Sequence, residues 1–335
     1  MTDRLPPIYF YISERDWPSR SIPESADRNW QGFSNGIYSW TLQTYLRLRT
    51  ASFPCELVKT LPTTGIVLAH RDSLPDAFPP PGAQVLLVCL KAEREHHPYA
   101  QLHVVQNPQE MVSSPTALWP SYYMPHWLQP GLIPRDPARG DRFETVAYFG
   151  LERNLAPALQ EPSWSEQLSS LGLRWQIVNR DRWHDYSEVD VVLAVRSFDR
   201  QAHTSKPATK LYNAWHAGVP AVLGPESAFQ AERHGELDYL EVTSLTDAIA
   251  VLKRLRDDVE LRHAMIANGQ IRATDTQSTK LVERWQDFLI NQAVPVYERW
   301  CRTPSWTQQL FWQRRYVAFK MRRVRNRLRL LATRR

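Results

Sequence analysis

The amino-acid sequence predicts an α/β protein made of two doubly wound, Rossmann-like domains. Short apolar runs that end at Pro, charged or polar residues alternate with amphipathic segments, as strands and helices do in such domains. A proline-rich stretch over residues 115–137 interrupts this alternation, which then restarts. A length of 335 residues also fits two domains better than one. We therefore expect a first domain over residues 1–140, a second over 141–291, and a basic helical tail over 292–335.

The first domain contains apolar runs of the length expected for buried strands. They lie at residues 8–12, 56–58, 65–69, 84–90 and 102–105. A helix is predicted between the first two runs, at about residues 35–48, because apolar residues recur there at approximately helical spacing.

The second domain repeats the pattern with longer connecting segments. Strands are predicted at residues 145–149, 173–178, 191–195, 219–223 and 239–242, and helices at 163–171, 206–217, 244–257 and 280–291. The run 191–195 is apolar throughout, which is typical of a strand covered on both faces in a parallel sheet. Ser244 followed by Asp247 predicts a capping box at the start of a helix. We expect the helix over 280–291 to close the second domain.

Composition excludes several classes of protein. Hydrophobic residues make up 43% and charged residues 23%, which is typical of a folded globular chain. The longest apolar runs are far shorter than the roughly 18 residues that a membrane-spanning helix needs. The N-terminal segment has no signal-peptide pattern, so we expect a cytoplasmic protein. Cys55, Cys89 and Cys301 are too far apart in sequence to suggest a disulfide framework or a zinc site.

The net charge of +6 comes from the tail. Residues 302–335 contain eleven Lys and Arg and no acid, so the rest of the chain is net acidic. Within the tail, apolar residues recur at helical spacing and form a stripe: Val317, Met321, Val324, Leu328 and Leu331. Basic residues surround this stripe, and aromatic residues precede it. This pattern favours an amphipathic helix at an anionic membrane surface. Packing of the tail on the first domain, a coiled-coil seam and nucleic-acid binding are the alternatives.

The segment over residues 205–222 carries the clearest functional signal. Thr204 or Ser205 can cap a helix that Pro207 opens, and the free N–H groups of a helix N-terminus attract phosphate. Lys206 and Lys210 are four residues apart, so on a helix both ammonium groups would face the same diphosphate.

The same segment resembles a known group of proteins. The stretch KL-x-NA-x-x-AGVPAV over 210–222 is similar to the donor-binding helix of the GT-B glycosyltransferases and the strand that follows it. Residues 147–150, followed by Arg153 and Asn154, resemble the first strand and glycine turn of that family's C-terminal domain. Residues 261–269 and the helix containing Trp285 resemble its closing helices, so the resemblance covers about 145–289.

The resemblance implies a GT-B fold, with the two domains facing a central cleft, and a hexosyltransferase-like activity. The substrates would be a nucleotide-sugar donor and a glycan or lipid-linked acceptor at the cytoplasmic membrane face, with no cofactor. The implied donor-binding residues are Arg153, Arg196, Ser205, Lys206, Thr209, Lys210, Leu211, Asn213 and Glu226. Many retaining members carry two glutamates with seven residues between them, and here those positions hold Ser205 and Asn213. Glu226 is the candidate to supply a carboxylate instead.

Glu14 and Asp16 follow the first predicted strand, where inverting members of that family often place the catalytic base. A solvated surface acid is the alternative for each, and structural roles are the alternative for His70, His126 and His203. No DxD motif is present, which predicts transfer without a metal, the departing diphosphate being met by cations and helix N–H groups. The rival hypothesis is a non-catalytic nucleotide- or glycan-binding module docked at membranes. Nucleic acid is not an expected partner, because no nucleic-acid-binding motif accompanies the basic tail.

Overall fold

The structure is a computed structural model that describes residues 5–332, apart from Arg20, residues 77–79, Pro81 and residues 115–116. The side chains of residues 329–332 are also outside the description. Pro115 at the start of the proline-rich stretch, the side chain of Leu331, and the last two arginines therefore lie outside the described residues.

The first domain is built on a six-stranded, wholly parallel sheet. Its strands are β1 (Ile8–Tyr11), β2 (Glu56–Val58), β3 (Thr64–His70), β4 (Gln84–Leu90), β5 (Leu102–Val105) and β6 (Ser121–Tyr123), in the order β2-β1-β3-β4-β5-β6. The first five are the predicted strands. The sixth lies in the proline-rich stretch that we predicted to be a linker, between Pro120 and Pro125. Proline is tolerated there because β6 is an edge strand and the two prolines flank the three residues that pair with β5.

The predicted helix of the first domain is present but begins irregularly. A π-helical turn over Tyr38–Leu42 continues into α1 (Gln43–Thr50). Trp40, Leu46 and Leu48 are buried, which anchors this segment against the sheet.

The second domain contains a five-stranded parallel sheet. Its strands are β7 (Thr145–Phe149), β8 (Arg174–Val178), β9 (Val191–Ala194), β10 (Ala221–Leu223) and β11 (Leu240–Glu241), in the order β11-β10-β9-β7-β8. All four residues of β9 are buried between β10 and β7, as its continuous apolar run predicts.

Five helices cover this sheet: α2 (Pro162–Ser170), α3 (Thr209–Ala217), α4 (Ser227–Glu232), α5 (Leu245–Asp257) and α6 (Val259–Ala273). The cap at Ser244 is confirmed, since its hydroxyl accepts a hydrogen bond from the Asp247 N–H at 3.0 Å. The reciprocal half of the predicted box differs, because the Asp247 carboxylate accepts from the N–H and hydroxyl of Thr243 instead.

Helix α3 begins three residues later than predicted. Ala208, not Thr204 or Ser205, is its N-cap residue, so Lys206 and Lys210 do not share a helical face. The reason is non-local: side chains of the first domain hold the carbonyl oxygens of Ser205 and Lys206 and keep this segment out of the helix. The helix ends as predicted, at Gly218, whose φ of +69° is the left-handed conformation that glycine adopts readily.

The C-terminal helices return to the first domain. They are α7 (Ser278–Asp287), which continues through the π-helical segment Phe288–Ala293 into α8 (Val294–Arg302), and α9 (Ser305–Ala332). We expected the helix over 280–291 to close the second domain. Instead Leu281, Trp285 and Phe288, which recur at helical spacing, are fully buried in the core of the first sheet.

One face of α9 packs on the first domain, which was one of the alternatives for the tail. Phe319 is buried there, and the amide of Gln308 donates to the Ala83 carbonyl oxygen at 3.1 Å. Arg315 donates to the carbonyl oxygen of Ala100, and Arg323 forms ion pairs with Asp76 and Glu95. The predicted apolar stripe is on a different face and is exposed. Within the described part of the chain, no helix is both long enough and apolar enough to cross a membrane.

Candidate functional site

A cleft of about 630 Å³ separates the two sheets and is lined by both domains. In a parallel sheet the loops that follow the strands all lie at the carboxyl edge of the sheet, and ligand sites of α/β folds lie at that edge. Polar and charged residues that line the cleft from the first domain include Asn35, His70, Asp72, Glu93, Arg94 and His126. From the second domain they include Asn154, Arg153, Arg180, Arg196, Lys206, Thr209, Lys210 and Asn213.

The first turn of α3 faces this cleft. The first N–H groups of a helix have no partner within the helix, and the aligned peptide dipoles make this end attractive to anions. The hydroxyl oxygen of Thr209 is buried and has no hydrogen-bond partner in the structure. The Thr209 hydroxyl is therefore a polar group at the cleft wall that the described protein does not satisfy.

Lys210 is the second residue of that turn, and its ammonium group is unpaired. Among the described residues it forms neither a hydrogen bond nor an ion pair; its Nζ lies over the ring of Tyr148, 5.4 Å from the ring centroid. Burial lowers the pKa of Lys210 to about 7, and the nearby positive charge of Arg196 adds to this effect. Lys210 is half-buried, and partial burial of a cation without a hydrogen-bonded counter-charge is costly, so binding of an anion in the cleft would relieve that cost.

Arg196 is held beside the helix end by a buried carboxylate. It follows β9, and its Nε donates to Glu226 Oε2 at 2.9 Å. The Glu226 side chain is 4% exposed and the Arg196 side chain 13% exposed, so the carboxylate lies behind the guanidinium group. Arg196 lines the cleft and Glu226 does not. The pair thus fixes a cation at the cleft wall.

Lys206 reaches across the cleft to the first domain. Its ammonium group forms an ion pair with Glu93, which follows β4. Its backbone is also fixed, since Asn107 Nδ2 donates to the Lys206 carbonyl oxygen at 3.1 Å and Gln106 Nε2 donates to that of Ser205 at 2.8 Å. Burial opposes ionisation of Glu93, but the hydrogen bond and charge of Lys206 hold the pKa of this carboxyl below its ordinary value.

The first-domain wall contains a buried, neutral histidine. His70 Nδ1 accepts a hydrogen bond from the Asp72 N–H at 3.1 Å, and its Nε2 is buried without a partner. Burial lowers the pKa of His70 to about 4. A Cβ atom on Gly36 would lie 3.1 Å from that Nε2, so the absence of a side chain keeps this part of the cleft open. Asp72 is held by Arg94 through two hydrogen bonds of 2.8 and 2.9 Å.

The structure brings six of the predicted donor-binding residues to the cleft wall: Arg153, Arg196, Lys206, Thr209, Lys210 and Asn213. Ser205, Leu211 and Glu226 are not among the lining residues; Leu211 is a core residue, and Ser205 contributes a carbonyl contact to the other domain.

The two predicted catalytic acids lie outside the lining of the cleft. Glu14 and Asp16 form a single turn after β1; Glu14 is exposed, and Asp16 accepts a hydrogen bond from the Ser13 hydroxyl at 2.6 Å. Two lining carboxylates, Asp72 and Glu93, were not predicted. Asp72 lies in the 3₁₀ turn that follows β3, and Glu93 lies in the turn that follows β4. A carboxylate in the first few residues after a predicted strand is the signal that could have identified them.

The chain matches no protein-family model and no curated protein. Its fold is similar to that of Anabaena Alr3699/HepE, solved in complex with UDP-glucose: the TM-score is 0.50 at 11% identity, over 85% of this chain and 99% of that one. Sucrose-phosphate synthase from Thermosynechococcus elongatus matches with a TM-score of 0.47 at 13% identity, over 77% of this chain and 78% of that one. The lipopolysaccharide outer core galactosyltransferase WaaB matches with a TM-score of 0.47 at 10% identity, over 85% and 99%. The two parallel sheets and the match to Alr3699/HepE confirm the predicted GT-B fold.

Proposed function

We propose that this protein is a hexosyltransferase that moves a sugar from a nucleotide-sugar donor to a glycan or lipid-linked acceptor. The observation that carries the proposal is the unpaired ammonium group of Lys210 at the N-terminus of α3, in a cleft between two Rossmann-like domains. A diphosphate is the ligand that fits this site, because its charge matches the cations and its oxygens can accept from the helix N–H groups. The complex of Anabaena Alr3699/HepE with UDP-glucose supports this choice of donor.

In the proposed reaction the acceptor hydroxyl attacks the anomeric carbon of the sugar, and the bond between that carbon and the diphosphate oxygen breaks. Negative charge then develops on the departing diphosphate. Arg196, Lys206 and Lys210 are placed to stabilise that charge, so we propose that transfer proceeds without a metal. The proton of the acceptor hydroxyl passes to a base. We keep Glu14 and Asp16 as candidates for that base, and Asp72 and Glu93 join them because they line the cleft.

A non-catalytic binding module is the second candidate function. This function is favoured because Ser205 and Asn213 stand at the two positions where many retaining enzymes carry glutamates. Asn213 accepts a hydrogen bond from the Gln129 N–H at 3.1 Å, and the Ser205 carbonyl accepts from Gln106. Both positions therefore contribute to contacts with the rest of the chain rather than presenting a carboxylate to a ligand.

A panel of UDP-, GDP-, ADP- and CMP-sugars tests the proposal. We expect one donor class to bind, measured by calorimetry, and to be hydrolysed slowly in the absence of acceptor, with turnover unaffected by EDTA. Binding without turnover would favour the binding module. Failure of every donor and every free nucleoside diphosphate to bind would refute the transferase and the nucleotide-binding module alike, leaving only a glycan-binding module.

We further propose that the exposed face of α9 binds the anionic cytoplasmic face of a membrane. Six apolar side chains fall within an arc of about 60° on this helix and are each more than half exposed: Trp306, Leu310, Val317, Met321, Val324 and Leu328. Exposed basic residues border the arc on both sides: Arg314, Lys320, Arg325 and Arg327. Anionic lipid head groups complement that border, and the apolar arc can enter the interface.

Point substitutions test this surface better than removal of the tail, because α9 also covers the first domain. Changing Val317, Met321 and Val324 together to Gln should abolish sedimentation with phosphatidylserine-containing vesicles and spare donor hydrolysis. Each apolar side chain buried in the membrane interface contributes about 1.5–3 kcal/mol to the free energy of membrane binding, and each basic residue contributes about 1 kcal/mol. Ile271→Gln, at a comparably exposed apolar residue of α6, is the control. Unchanged vesicle binding by the triple variant would assign the interaction to another surface.

A further inference from the structure

Glu93 is aimed into the cleft by a strained turn. The Arg94 N–H donates to the Lys91 carbonyl oxygen at 3.0 Å, and Lys91 itself is anchored by a buried ion pair with Glu110 at 2.7 Å. Between them Ala92 has φ of +49°, a left-handed conformation that is strained for a residue with a side chain. The turn therefore holds a specific direction for the residue that follows Ala92, and that residue is Glu93.

The carboxylate of Glu93 lies among the cations that the proposed donor would need. It forms an ion pair with Lys206, and the positive charges of Arg196 and Lys210 also act on it. The other lining carboxylate of the first domain, Asp72, is instead paired with Arg94. Glu93 is thus an anion of the first domain that faces the second-domain cations proposed to bind the diphosphate.

We propose that Glu93 occupies the place of a donor phosphate in the free protein and sets the affinity of the site by competing with the diphosphate for Lys206. This inference rests on the proposed function. A diphosphate carries more charge than one carboxylate and can contact Lys206, Lys210 and Arg196 together, so it displaces Glu93. A neutral or weakly charged ligand cannot displace Glu93 from Lys206. Glu93 thereby lowers the affinity of the cleft for a diphosphate and leaves its affinity for an uncharged nucleoside unchanged.

The test is the binding of UDP, inorganic pyrophosphate and uridine to the full chain, measured by calorimetry. Glu93→Gln removes the competing charge at almost constant size, and we expect it to bind UDP and pyrophosphate about two- to fivefold more tightly, with uridine unchanged. Glu93→Ala should act in the same direction. In a Lys206→Ala background the gain from Glu93→Gln should largely disappear, because the two residues act on each other. Glu152→Gln, an exposed residue outside the cleft lining, is the control.

Tighter binding is an outcome that loss of a merely structural contact would not produce. Equal or weaker binding of pyrophosphate by both Glu93 variants, while the parent protein binds it, overturns this inference and leaves the proposed function intact. If neither the parent protein nor the variants bind any diphosphate, the proposed function fails and this inference with it.

Discussion

Replacing Lys210 with Met should remove most of the affinity for nucleoside diphosphates and most of its dependence on pH. Met keeps the length and apolar contacts of the side chain and removes the charge. A partly buried, charge-assisted hydrogen bond contributes about 1.5–3 kcal/mol, so we expect the Kd for UDP to rise by about 10- to 100-fold.

The pH dependence follows from the burial that lowers the pKa of Lys210 to about 7. Below that pH the ammonium form is present and can bind the diphosphate; above it the empty site holds a neutral amine. Bound phosphate favours the charged form and raises the pKa of Lys210, so binding takes up a proton. The affinity of the parent protein for UDP should therefore fall by up to about tenfold for each pH unit above 7.

Calorimetric titration with UDP between about pH 7 and pH 9 measures both effects, and in this range the phosphates themselves stay ionised. Thermal unfolding of the empty protein separates binding from folding. Because Lys210→Met removes a half-buried charge that has no hydrogen-bonded partner, the variant should be at least as stable as the parent near pH 7. Lys253→Met, at an exposed position on α5, is the matched control. If Lys210→Met binds UDP with the parent's Kd and pH profile, the ammonium group does not face the ligand.

Trp285→Ala should lower the free energy of unfolding by about 3–5 kcal/mol in urea titrations, because Trp285 is fully buried against the first sheet. Trp306→Ala, at a residue 64% exposed, should change it by less than about 0.5 kcal/mol, and equal effects of the two would contradict the packing of α7. Acid should also destabilise the protein, since burial lowers the pKa of His70 to about 4 and of His96 and His97 to about 3. The unfolded chain binds these protons from about pH 6.5 downward, so stability should decline below that pH, by about 1.4 kcal/mol per pH unit for each histidine. Stability that is flat between pH 6.5 and 4.5 would show that these rings are not held neutral.

Local sequence was sufficient for the features that depend on near neighbours. Strands β4, β5 and β7 have the predicted bounds because each is an apolar run with a clear stop on both sides. The cap at Ser244 and the glycine end of α3 involve residues within a few positions of each other, and both were predicted correctly. The alternation of such elements was enough for the α/β class, and the resemblance over 210–222 was enough for the GT-B fold.

Tertiary structure alone decided the features that join distant parts of the chain. Lys206 and Glu93 are 113 positions apart, and their ion pair has no local signature. The delayed start of α3 depends on Gln106 and Asn107 of the other domain, which compete with the helix for its first carbonyl oxygens.

The C-terminal helices show the same limit. The apolar stripe of α7 indicates that one face is buried, and periodicity cannot say which sheet buries it. On α9 the regular apolar stripe is the exposed face, while the face containing Gln308, Arg315 and Phe319 is the packed one. Periodicity records where apolar side chains recur along a helix. Which face is packed depends on the surface that the rest of the chain presents to the helix, and that surface is formed by contacts between residues distant in sequence.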